Sequence, residues 1–137
     1  MEGVQHQHLR SNDPDQPVIL IAEDEVSIQD VVRIILEEEG FFVLTAENGE
    51  AALSVSRQYP GEIHLLLTDI VMPQMGGVEL SNRISSERPG ICIVLMSGNS
   101  FAETINPEVP FLEKPFSPKQ LKATIAALIP VCHGAQN

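Results

Sequence analysis

From Val18 onward the hydrophobic positions switch between two periods. Val18-Ile19-Leu20-Ile21-Ala22 is a short apolar run rich in β-branched residues, the pattern of a strand buried on both faces. Ile28, Val31, Val32, Ile35 and Leu36 then fall at i, i+3, i+4, i+7 and i+8, one face of a helix that Gly40 ends. Phe42 to Ala46 reads as a second strand, and Asn48 caps a helix through Ala51, Ala52 and Val55 that stops before Pro60. Ile63 to Thr68 forms the third strand, and Gly77 to about Glu87 the third helix, with Leu80 and Ile84 inward. Ile91 to Met96 is the most apolar strand, and Phe111-Leu112 centre a short fifth. The last helix opens on Ser117-Pro118-Lys119-Gln120: a Ser N-cap, Pro at the first helical position and Gln completing a capping box. Leu121, Ile125 and Leu128 make its buried stripe.

Strands alternating with helices predict an α/β fold: a flavodoxin-like, doubly wound five-stranded parallel sheet with helices on both faces. The stretch from Ser97 to Lys114 is short and broken by Asn106-Pro107 and Pro110, so the fourth helix of such a fold is expected to be short or missing. The 137 residues suit one core, placed at 17–130 between a polar tail or linker (1–16) and a C-terminal tail (131–137).

Composition narrows the function. A net charge of −11 argues against a nucleic-acid partner. No apolar stretch approaches the roughly 20 residues of a membrane span, and the first residues lack the apolar core of a signal peptide. The two cysteines, Cys92 and Cys132, set neither a metal spacing nor a disulfide framework; unpaired thiols in a reducing, cytoplasmic setting are expected.

The candidate chemistry sits where the strands end, because ligands of open α/β sheets bind outside the carboxyl edge. The first strand ends on Glu23-Asp24-Glu25, the third on Asp69, the fourth on Ser97-Gly98 and the fifth on Lys114-Pro115. Singly, each has an ordinary structural reading as a helix cap, turn or loop residue. Together they place three carboxylates, a hydroxyl and an amine on one edge. Crowded carboxylates repel, which favours protonation or a hard divalent cation, and oxygen ligands of this kind suit Mg2+. Asp69 is then a candidate nucleophile towards phosphorus. Lys114 and Ser97 would offset charge on the phosphoryl oxygens.

These residues resemble the receiver domain of two-component response regulators, through IAEDE (Ile21 to Glu25), LLLTDIVMPQMGG (Leu65 to Gly77), LMSG (Leu95 to Gly98) and FLEKPF (Phe111 to Phe116). The resemblance covers Val18 to about Ile129. It implies that Asp69 accepts a phosphoryl group from a phosphohistidine on a histidine kinase or histidine phosphotransfer protein. It implies Mg2+ held by Asp24, Asp69 and the Val71 backbone carbonyl, with Glu23 acting through a water. Ser97 would hydrogen-bond the phosphoryl oxygens and Lys114 would pair with them, aimed by a cis bond to Pro115. Pro73 and Gly77 would shape the loop after the acceptor, looser here because Gly76-Gly77 replaces an acid-glycine pair. Ser97 and Phe111 would form the conformational switch, with Phe111 more buried than a tyrosine would be. Val71 and Asn99 would tune the phosphoryl lifetime. Such a domain is a phosphoacceptor rather than an enzyme acting on other substrates. GEIHLLLTDIVMP and the short Ser97–Lys114 stretch are similar to receivers attached to hybrid histidine kinases.

Two other readings compete. A phosphohydrolase of the haloacid dehalogenase type needs an acid two residues after its nucleophile, where this chain has Val71. A receiver-like scaffold working by protein–protein interaction would dispense with the acceptor, the acidic pair or the lysine, and all are present.

Overall fold

The computed structural model describes residues 16–98 and 108–132. Five strands, β1 (Val18–Ala22), β2 (Phe42–Ala46), β3 (Leu65–Asp69), β4 (Cys92–Ser97) and β5 (Phe111–Glu113), form one sheet in the order β2-β1-β3-β4-β5. All four pairings are parallel. The described helices are α1 (Val26–Glu38), α2 (Gly49–Gln58), α3 (Gly77–Glu87) and α4 (Pro118–Leu128), the last followed by a 3-10 turn at Ile129–Val131. Asn99, and the stretch 99–107 in which a reduced helix is expected, lie outside the described residues.

The continuous apolar runs follow from burial on both faces. Val18, Leu20, Leu44 and Leu66 pack with Ala52 and Leu53 of α2 and Leu80 and Ile84 of α3. Ile19, Ile21, Leu65, Leu67, Val94 and Met96 point the other way, onto Val32 and Leu36 of α1 and Leu121 and Ile125 of α4. Each such side chain, fully withdrawn from water, contributes about 1.5–3 kcal/mol before entropy is counted. One residue of slip in a strand would move all of its side chains to the opposite face.

Punctuation is where the chain sequence places it. Gly40, at φ +98°, ends α1 in a left-handed conformation that disfavours a Cβ. Asn48 accepts the Ala51 N–H at 2.8 Å, and Ser117 and Gln120 form the full capping box of α4. The α1 stripe differs from the expected one. Val31 is 56% exposed, while Gln29, Val32 and Leu36 are the buried positions.

The expected unpaired cysteines are corrected. Cys92 and Cys132 are joined as a disulfide, with Cα atoms 5.4 Å apart. The capping of α4 and the 3-10 turn after it carry Cys132 back onto the start of β4, where it is buried in the α1/α4 core. Residues 40 apart in sequence give no local sign of such a meeting. The pairing removes the argument for a reducing compartment. Among the described residues no helix is long and apolar enough to cross a membrane.

Candidate functional site

β3 runs through Asp69 itself, whose backbone is paired with Met96 of β4. The carbonyl of Asp69 accepts from Thr68 Oγ1 at 2.9 Å, and the next N–H, of Ile70, donates to Met96 O at 2.9 Å. The acceptor candidate therefore sits on the rigid end of a central strand, with only 8% of its surface exposed.

Glu23 and Asp24 come from the end of the neighbouring β1. Oxygens of Glu23, Asp24 and Asp69 lie within 4.8 Å of one another. Glu23 is fully buried and Asp24 exposed. Lys114 reaches across from the end of β5, its Nζ 2.8 Å from Glu23 Oε1 and 3.2 Å from Asp69 Oδ2. Its bond to Pro115 is cis. Burial pushes the Glu23 carboxyl above its ordinary range, against the opposing pull of the Lys114 ammonium. Burial would lower the lysine, but the Glu23 hydrogen bond and the charges of Glu23 and Asp69 outweigh it and raise Lys114. The donor set is all oxygen, anionic and open on the Asp24 side, which fits a hard cation that keeps some of its waters.

Ser97 is buried at the end of β4, and its carbonyl accepts the Lys114 N–H at 2.8 Å, which ties the β4 and β5 ends together. Phe111 is half-buried on edge strand β5, packed with Val78 and Val109 against Ile70 and Leu95. Val71 is 60% exposed in the loop after Asp69. Pro73 accepts the Met75 N–H at 2.8 Å, and Gln74 between them has φ +71°.

The loop closes more tightly than its two glycines suggest. Gly77 donates to Ile70 O at 2.8 Å. A Cβ on Gly77 would strike the carbonyl of Asp69 and come within 3.0 Å of Ile70 Cα. Gly77 thus lets the start of α3 abut the backbone of the acceptor.

Gln29 was not among the candidates. Its buried side-chain amide donates to Glu23 O and to Ala46 O, each at 3.1 Å. The available signal was a polar residue at 29 in register with Val32 and Leu36.

Residues 19–126 match the family model of the response regulator receiver domain. The chain is 31% identical over 116 residues to the sensor kinase CckA of Brucella abortus, covering 81% of this chain and 12% of CckA. It is 33% identical over 117 residues to the response regulator receiver protein CpdR of the same organism, covering 81% of this chain and 95% of CpdR. Among solved structures it resembles the response regulator TrrA of Thermotoga maritima in complex with Mg(2+)-BeF. The TM-score is 0.74 and the identity 29%, over 82% of this chain and 99% of that one. The chain spans less than half the length of several other curated relatives that it matches.

Proposed function

The chain belongs to the response regulator receiver family of two-component systems, and we propose that within it Asp69 is the phosphoacceptor. The observation that carries this is the buried strand-end carboxylate, 3.2 Å from the Lys114 ammonium and beside two further acids. In the reaction a phosphoryl group leaves an imidazole nitrogen of a partner histidine kinase or phosphotransfer protein. The N–P bond breaks, an O–P bond to the Asp69 carboxylate forms, and the imidazole recovers its lone pair.

Asp24, Asp69 and the Val71 carbonyl would hold Mg2+, with Glu23 acting through a water, and the metal when bound offsets charge on the transferring group. Lys114 would pair with the phosphoryl oxygens, exchanging part of its contact with Glu23 for them, and Ser97 would donate its hydroxyl. Burial of Asp69 and Ser97 keeps bulk water from the new acyl phosphate, and the exposed Val71, together with Asn99, would set how readily a hydrolytic water arrives. Phe111, half-buried already, would move little, leaving Ser97 as the larger part of the switch.

An apolar face adjoins the site. Ile28, Val31 and Val32 of α1 with Pro115 and Phe116 line an apolar groove that Lys114 borders, and Val26, Val31 and Ile34 are exposed. This supports docking of a partner that presents its phosphohistidine over Asp69.

The test is incubation with acetyl phosphate and Mg2+, followed by intact mass. Wild type should gain one phosphoryl group, and neither Asp69→Asn nor metal-free wild type should. Uptake by Asp69→Asn would place the acceptor elsewhere.

A further inference from the structure

We infer that Gln29 is a positioning residue for the cation-binding acids, setting Mg2+ affinity through the backbone of Glu23. The inference rests on the proposed site and extends it to a residue on α1 that touches neither metal nor phosphate.

Gln29 lies in the first turn of α1 on its inward face, only 9% exposed, the one polar group among the buried residues of that helix. A buried amide needs partners for its N–H groups, and both partners here are strand-end carbonyls. One is Glu23 O, just past β1; the other is Ala46 O, the last residue of β2. Ala46 O also accepts the Glu23 N–H at 3.1 Å. The Glu23 peptide units are therefore held on both sides, and the carboxylate is held separately by Glu25 N–H at 3.0 Å and by Lys114.

Asp24 sits between these anchors and is exposed. The clamp on Glu23 before it and the hydrogen bond to Glu25 after it direct its carboxylate towards Asp69. Without the amide, the carbonyl of Glu23 loses its donor inside the protein and the Glu23–Asp24 peptide is free to turn. The three acids would then spend less time within 4.8 Å of one another, close enough to share one cation. Groups that orient metal ligands in this way change affinity by about 10–100-fold when removed.

The test compares Mg2+ dissociation constants, by titration calorimetry, of wild type, Gln29→Met and Arg88→Met. Methionine keeps the length and volume of glutamine but donates nothing. Arg88 is the control for general loss of stability, because its guanidinium binds Ser56, Tyr59 and Gly61 at the other end of the sheet. Gln29→Met should weaken Mg2+ by about tenfold, with far-UV circular dichroism unchanged and Arg88→Met near wild type. Gln29→Leu, apolar and of similar size, carries the same comparison should the methionine variant not fold. Wild-type affinity in a folded Gln29 variant, or equal weakening by Arg88→Met, would overturn the inference and leave Gln29 a structural residue. Wild type that fails to bind Mg2+ would instead overturn the proposed site itself. Wild type that binds Mg2+ without accepting phosphate would leave the Gln29 result intact.

Discussion

Reducing the Cys92–Cys132 disulfide should destabilise the domain by about 4 kcal/mol without disturbing the acceptor. The bond closes a loop of 40 residues. The chain-entropy relation for such a loop gives about −13 cal/mol/K for the unfolded chain, or about 4 kcal/mol at 25 °C. Reduction lets the two sulfurs part only to van der Waals contact, with Cys132 buried among the α1/α4 core residues, so the native packing is largely kept and most of the change falls on the unfolded state. With a urea slope of about 2 kcal/mol/M the midpoint should fall by about 2 M. Cys92 pairs with Leu65 and Met96 with Asp69, which puts the bond about 13 Å down the sheet from the acceptor at the usual strand rise. Phosphoryl uptake by the reduced, folded protein should therefore match that of the oxidised one. The assay is paired urea denaturation with and without a phosphine reductant, alongside thiol alkylation and mass measurement. Two alkylated thiols in the unreduced, air-oxidised protein, or coincident midpoints, would refute the reasoning.

Three further perturbations test separate parts of the structure. Gly77→Ala would force a Cβ against backbone rather than a yielding side chain; a loss of about 1–3 kcal/mol and slower phosphoryl uptake are expected, and an unchanged urea midpoint would contradict the packing. Glu23 has a raised folded pKa, so its contribution to metal-free stability is fully present below its ordinary value of 4.5 and is lost as pH rises through the raised value. Glu23→Gln should accordingly gain on wild type as pH climbs through that window in metal-free buffer, and a difference that does not vary with pH would contradict the assigned burial. Arg88→Met removes donors from Ser56 Oγ, Ser56 O, Tyr59 O and Gly61 O; a loss of about 2 kcal/mol is expected, read by thermal or urea denaturation, with acceptor chemistry unchanged.

The strands and helices were legible because each buried strand is apolar on both faces and each helix carries its own stop signal. Alternation of elements does not itself fix strand order; the flavodoxin-like order is the natural one for five strands in this pattern, and the sheet has it, while the site followed from asking what each strand ends on. Glu23, Asp24, Asp69 and Lys114 converge because parallel strands put all their carboxyl ends on one edge, which makes sequence position a guide to space. What escaped depends on contacts between distant segments. Gln29 looks like one more polar helix residue until β1 and β2 bring two carbonyls to it. Gly77 reads as slack, although the backbone of Asp69 leaves it no room for a side chain. Val31 matches the helical period but lies on the shoulder of the stripe, beside the groove with Phe116. The cysteine pairing needs the 3-10 turn after α4, which the apolar pattern does not announce.

The most direct test of the central claim is transfer from a phosphorylated histidine phosphotransfer protein, with the modified residue then located by borohydride trapping and peptide mass mapping. The account predicts a single modified residue, Asp69, formed with Mg2+ and absent when the metal is chelated. A label on another residue, or equal labelling of Asp69→Asn, would contradict it.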